Sequence, residues 1–174
     1  MEGTLLLRRV FVGVLAAATA CGGAMAVAQS SVTRIPLPNS DFPISEGVWV
    51  GDTLYLSGAI DSSVAKGQPG DTETQTVHVL ETIKRELAEQ HLMLGDVVMM
   101  HAYLAGDPAQ GGKMDFAGFM KGYTQYFGTK DQPNKPARSA MQVAALALPG
   151  ALVEIEVTAV STHRTLAHAA LWGK

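Results

Sequence analysis

The chain has one cysteine in 174 residues, Cys21. A single cysteine cannot form an intrachain disulfide or supply a Cys-ligated metal site, and this one lies inside an N-terminal apolar stretch rather than among polar groups. Excess positive charge is also missing. With 13 Lys and Arg against 16 Asp and Glu, the formal net charge is −3, and no basic stripe of the kind that tracks nucleic acid is present. The five histidines, His78, His91, His101, His163 and His168, are spaced without a second ligand type at metal-site intervals, and they read as solvated or interface histidines. No Gly-rich phosphate loop, nucleophile elbow or nucleotide motif occurs. Charged residues are 17 % and hydrophobic residues 47 %, which is enough apolar material for a packed core and places the chain among globular proteins. The length suits one domain.

Residues 1–28 read as a secretory leader. Arg8 and Arg9 form a positive start, Val10 to Ala20 a short apolar run, and Ala26-Val27-Ala28 a small-x-small cleavage signal before Gln29. The run is too short and too interrupted, by Thr19 and Gly22-Gly23, for a comfortable membrane span. Arg8-Arg9-Val10-Phe11 is similar to a twin-arginine signal, with Leu7 where Ser or Thr is usual, and Cys21 has a lipoprotein-like setting without the usual Leu. Ordinary export is the reading adopted, giving a periplasmic or secreted protein with no membrane attachment after leader removal. Loss of Arg8, Arg9 and Glu2 removes one net positive charge and leaves −4, and it leaves no cysteine at all. Residues 29–174 then form a single domain with a short C-terminal tail, residues 163–174, that the rest of the pattern does not explain.

Periodicity predicts the elements. Pro36, Pro38 and Pro43 make residues 29–47 an extended lead-in. Val48 to Val50 and Thr53 to Ser57 flank Gly51-Asp52 as a tight hairpin. Residues 61–70 read as a loop, and Thr72 with Gln75 as a capping box opening a helix whose apolar stripe is Val77, Leu80, Ile83 and Leu87. Val97 to Leu104 is a near-continuous apolar strand. Asp115 caps a second helix carrying Phe116, Phe119, Met120, Tyr123 and Phe127, stopped by Gly128. Pro136 to Met141 and Ala151 to Val160 read as a strand pair turned at Leu148-Pro149-Gly150. In the last strand Val153, Ile155, Val157 and Ala159 alternate with Leu152, Glu154, Glu156 and Thr158. The order β-β-α-β-α-β-β predicts an α+β layer, one sheet with two helices on one face.

Pro136-Ala137-Arg138-Ser139, the Leu148-Pro149 turn and the Val153-Glu154-Ile155-Glu156 strand resemble the RidA (YjgF-type) family of imine and enamine deaminases. So do Val50-Gly51-Asp52-Thr53-Leu54-Tyr55-Leu56-Ser57-Gly58, Gln75-Thr76 with Val79 to Lys84, and Asp96-Val97-Val98, over about residues 36 to 162. The resemblance implies a chorismate-mutase-like fold that assembles as a trimeric barrel with sites between subunits. It implies hydrolysis of 2-imino or 2-enamino acids to 2-oxo acids and ammonia, with no cofactor because water is the nucleophile. Arg138 matches the arginine that grips the substrate carboxylate, and its planar donor fork suits that task. Glu154 matches the acid that positions water or moves a proton. Ser57, Gly58 and Ala140 match pocket positions, Ala140 standing where many relatives have Cys. Ile44 and Met120 stand where relatives often carry polar groups, Tyr and Asn. The alternative function is a non-catalytic trimeric module for small carboxylates. Ribonuclease activity, also attached to some relatives, is disfavoured by the acidic balance.

If residues 136–160 form a simple hairpin, Glu154 lies opposite Ala145, and Arg138 is about 23 Å away at roughly 3.3 Å per residue. One chain then cannot place both on one small ligand, and a homotrimer must share the site. The leader carries its own expectation: protein recovered from the periplasm has the mass of residues 29–174, and a mass retaining residues 1–28 refutes the cleavage assignment.

Overall fold

The computed structural model describes residues 31–161. The leader and the C-terminal tail lie outside them. Six strands form one sheet in the order β1-β2-β3-β6-β4-β5: β1 Val32–Pro36, β2 Ser45–Val50, β3 Thr53–Ile60, β4 Val97–Leu104, β5 Ala137–Gln142 and β6 Val153–Val160. Between them come α1 Ser62–Ala65, α2 Thr72–Glu89 and α3 Phe116–Tyr123. The α+β layer expected from the pattern is therefore present.

The apolar alternation of β6 is what fixes the layer. Val153, Ile155, Val157 and Ala159 are buried, together with Met100, Ala102 and Leu104 of β4 and Leu54 and Leu56 of β3. Val79, Leu80, Ile83 and Leu87 of α2 and Phe119 and Tyr123 of α3 close over them. Each fully buried Ile or Leu contributes roughly 2–5 kcal/mol by the cost of truncating it to Ala. The opposite face carries Tyr55, Ser57, His101, Tyr103, Ser139, Met141, Glu154, Glu156 and Thr158, all half-buried or exposed.

Several local expectations are corrected. The extended lead-in contains a strand: β1 pairs antiparallel with β2, and Pro36 sits at its last position, where a missing N–H is tolerated. The 61–70 loop holds the one-turn helix α1, capped by Asp61. The cap of α2 is Asp71, whose carboxylate accepts from Thr74 N at 2.8 Å, rather than Thr72. Gln75 does not close a capping box. It is fully buried, donates to the carbonyls of Gly70 (3.0 Å) and Gly150 (3.2 Å), and accepts from Leu152 N (2.8 Å). Val79, not Val77, is the buried valine of the stripe. α3 ends at Tyr123, one turn before Gly128, although Gly128 does take a positive φ of 72°.

The largest correction concerns the last two strands. The turn is as expected: Ala151 N donates to Leu148 O at 3.0 Å and Gly150 has φ +87°. The strands it separates are not paired. β5 runs parallel to β4, and β6 is antiparallel to β4 on one side and β3 on the other, so β4 is inserted between them. The intervening loop straddles the end of β4, with Val143 N donating to Leu104 O and Ala105 N to Leu152 O. The insertion gives β4 two partners, which its unbroken apolar run favours.

One half-buried acid makes the stability of this layer depend on pH. Burial on α2, with Glu46 adding repulsion, Arg85 opposing and Glu89 adding more, pushes Glu86 up to about 7 from 4.5. Between those values the folded chain binds the extra proton, so the contribution of Glu86 to stability is largest below about 4.5 and falls as pH rises towards 7. Glu86→Gln removes the effect. Thermal melts should place the variant above the wild type at pH 8, by roughly 1–2 kcal/mol after allowance for solvent screening, and level with it at pH 4. Equal melting at pH 8 contradicts this.

Candidate functional site

Arg138 is the second residue of β5, in register with Met100 of β4, so its side chain points to the helix-covered face. There it enters an aromatic cage built by α3. Its guanidinium carbon is 4.3 Å from the ring centre of Tyr123, 5.0 Å from Phe119 and 6.0 Å from Phe116. The spacing of those rings on α3 follows from helical periodicity, and Asp115 anchors the helix start by accepting from Gly118 N at 2.9 Å. Nη2 donates to the Met120 thioether at 3.2 Å, and Nη1 is buried with no acceptor among the described residues. Ring faces and a thioether are weak acceptors, and a buried donor left unmet costs about 1–3 kcal/mol. The hydroxyl of Tyr123 is pushed up by burial and drawn back by the guanidinium. Ala140 lies two residues on, on the same face, against the core.

Glu154 is on the other face. It is in register with Ile60 of β3 and Tyr103 of β4, half-buried, with no hydrogen-bond donor reaching it among the described residues. Beside it β3 bulges: three steps from Leu56 to Ala59 face two from Val157 to Ile155, which leaves one extra residue at Ser57-Gly58. Glycine at 58 leaves room for the Glu154 carboxylate, which a β-carbon would meet. Sequence reading gave Gly58 a ligand-facing role, and the space it frees is occupied by Glu154 itself. Ser57 Oγ donates to Ser45 O at 2.7 Å, so its proton serves β2. Burial, then the neighbouring Glu156, holds Glu154 above the usual carboxylate range.

Glu156, two residues on, completes a group that the sequence left unassigned. His101 Nδ1 lies 2.9 Å from Glu156 Oε1, and Tyr103 OH donates to the same oxygen at 3.0 Å. That bond to Glu156, followed by burial, raises the Tyr103 hydroxyl above its ordinary value. The signal was available in the alternation Met99, His101, Tyr103 on β4, but only once β4 is set beside β6.

The structure therefore brings Ser57, Gly58 and Glu154 together, and separately Arg138, Ala140 and Met120. Arg138 and Glu154 are two strands and three residues apart, roughly 14 Å between Cα atoms from standard strand spacings, and on opposite faces. The hairpin distance is replaced by this one, and no small ligand reaches both in one chain. Ile44 is exposed, away from the Arg138 cage. Two clefts lie elsewhere. One of about 460 Å³ sits between residues 105–112 and 142–152, and one of about 830 Å³ lies against the C-terminal half of α2. Among the described residues no three His, Cys, Asp or Glu side chains could hold a metal ion.

Residues 37–161 match the family model described as Endoribonuclease L-PSP. The chain is 39 % identical to a RutC family protein of Saccharolobus solfataricus over 119 residues, covering 67 % of this chain and 86 % of the relative. It is 35 % identical to the 2-iminobutanoate/2-iminopropanoate deaminase of Capra hircus over 138 residues, 78 % of this chain and 93 % of that one. Among solved structures it resembles E. coli TdcF with bound serine, with a TM-score of 0.61 and 29 % identity over 75 % of this chain and all of that chain. It also resembles a YjgF-family protein of Neisseria meningitidis, with a TM-score of 0.59 and 27 % identity over 76 % of this chain and 97 % of that one.

Gly58→Ala tests the packing at the bulge. The added methyl displaces the far end of the Glu154 side chain, not backbone, so the variant should fold with a melting temperature within a few degrees of wild type. The Glu154 carboxyl, pushed towards solvent, should titrate lower in 13C NMR. An unchanged Glu154 midpoint contradicts the contact.

Proposed function

The chain belongs to the RidA/YjgF family, and on that footing we propose that it is a hydrolytic deaminase of 2-imino and 2-enamino acids. The observation that carries the reading is the state of Arg138: a full positive charge, half-buried, held among the described residues by ring faces and a thioether, with one buried N–H unmet there. A carboxylate is a far stronger acceptor than any of these and offers the fork a bidentate partner. Rotation of the side chain out of the cage would exchange weak contacts for two charge-assisted bonds. The goat relative bears the name of an imine deaminase, which agrees with this chemistry.

In the proposed reaction, water adds to the imine carbon, the C–N bond breaks, and 2-oxo acid and ammonia leave. The carboxylate of the substrate would sit on Arg138. Glu154 would take a proton from water as it attacks and return it to nitrogen, a task suited to an acid whose proton affinity is raised. Since one chain separates the two residues by sheet face, we propose that a neighbouring copy in a homotrimer brings Glu154, Gly58 and Ser57 to Arg138 and Ala140. No cofactor enters this scheme. Export to the periplasm or beyond belongs to the same proposal and rests on residues 1–28. Non-catalytic capture of a small carboxylate is the second reading, favoured by Met120 on Arg138 in place of a polar group.

Two measurements test this. Arg138→Ala should weaken binding of a 2-oxo acid by roughly ten- to a hundred-fold, the worth of one charge-assisted contact, and Arg138→Lys should recover only part of it. Mixing inactive Arg138→Ala and Glu154→Ala chains, unfolding and refolding them together should restore part of the ammonia release, because some interfaces receive both native residues. No recovery in demonstrably mixed oligomers, or a fully active monomer, refutes the shared site. Carboxylate binding without ammonia release selects the second reading.

A further inference from the structure

We propose that His101 is a positioning residue for Glu154: through its contact with Glu156 it decides whether Glu154 faces a like charge or a balanced pair. The inference rests on the role given to Glu154 above, and it concerns residues that neither Arg138 nor the bulge involves.

Strand register carries it. His101 and Glu156 are directly paired between β4 and β6, and so are Tyr103 and Glu154. All four side chains stand on the sheet face that no helix covers. Glu156 Oε1 receives both the His101 and the Tyr103 contact, at 2.9 and 3.0 Å. Glu154 has no donor of its own among the described residues and is close enough to Glu156 to feel its charge. Among the described residues, the strand neighbours of Glu154 on this face bring no other charge, Arg34 of β1 lying on the same face but three strands from β6. β3 presents Tyr55 and Ser57, β5 presents Ser139 and Met141, and β6 adds Thr158. The electrostatic environment of Glu154 on this face is therefore Glu156, and what balances Glu156 is His101. Tyr103 orients the carboxylate but contributes no charge.

A cationic ring on Glu156 makes a neutral pair and lets Glu154 ionise as a base. A neutral ring leaves Glu156 as a bare like charge two residues away and favours the protonated form of Glu154. The His101–Glu156 contact thus sets how much of the Glu156 charge Glu154 feels, through a group outside the substrate contacts proposed above.

The two partners of the pair have opposite signs, and the test uses that. The Glu154 carboxyl is followed by 13C NMR in full-length protein labelled at glutamate, its signal assigned by its loss in Glu154→Gln. Glu156→Gln should lower the Glu154 midpoint, and His101→Gln should raise it, each by roughly half a pH unit for charges a few ångströms apart near solvent. Tyr103→Phe should move it much less. If His101→Gln misfolds, the shorter neutral His101→Asn repeats the measurement. Shifts of the same sign in the histidine and Glu156 variants, or no shift in either, overturn the proposal, since a structural role would move both alike. Where ammonia release is measurable, the acid limb of kcat should follow the NMR midpoint, and a limb that stays fixed while the midpoint moves overturns the functional half. A wild type without turnover refutes the deaminase reading, while the titration still decides the coupling.

Discussion

The double pairing of β6 is the constraint on which the rest depends. Its eight residues are bonded to β3 on one edge and β4 on the other. A slip of one residue on either side would turn Val153, Ile155, Val157 and Ala159 out of the core and bury Glu154 and Glu156 beneath α2. The first change forfeits several kcal/mol of apolar burial, and the second requires unpaired carboxylates in a dry core. Register here is therefore set by energies comparable with the whole net stability of a domain. Everything chemical inherits it: Glu154 faces Tyr103, Glu156 faces His101, and Arg138 is held on the reverse side through Met100.

Legibility in the sequence followed the range of the interaction. The alternation of β6, the aromatic stripe of α3, the turn at Pro149-Gly150 and the sheet-with-helices layer are local patterns, and each was readable from spacing. Family resemblance supplied Arg138 and Glu154. What could not be read was which strand lies beside which. Antiparallel direction is shared by a hairpin and by two strands with a third inserted between them, and a turn signal does not distinguish the two. Placing β4 between β5 and β6 changed the Arg138–Glu154 geometry from a distance along one ladder to a difference of face. The His101–Glu156–Tyr103 group was missed for the same reason, since its members meet only across that inserted strand. Capping errors were smaller in kind: Asp71 and Thr72 both suit an N-cap, and burial of Thr72 beneath the chain decides for Asp71.

Met120 marks a difference between this chain and the polar pattern its resemblance implies. An amide at that place would offer Arg138 a real acceptor and also reach a ligand. The thioether offers a soft, adaptable contact and little directional hold. Arg138 is consequently less committed to its resting position, so a ligand displaces less to win it. Yet the ligand loses whatever polar contact an amide would have made. In the proposed reaction the same difference would ease capture of the carboxylate and remove a means of orienting the rest of the molecule.

The two half-sites are each incomplete in a complementary way. Among the described residues, Arg138 is a half-buried cation with one buried, unmet donor, and Glu154 is a half-buried carboxyl that no donor reaches. Within one chain they cannot satisfy each other, because the sheet stands between them. A second copy that lays its uncovered face against the edge strand β5 could bring opposite charges within reach of a common ligand, and a ligand carrying both an acceptor and a protonatable nitrogen would satisfy each. An uncovered mixed face of aromatic, hydroxyl and carboxylate groups is also better matched to a partly wet protein contact than to a second core layer. Electrostatics and surface composition therefore each support the proposed shared site, in which the unit that would do chemistry is larger than the unit that folds.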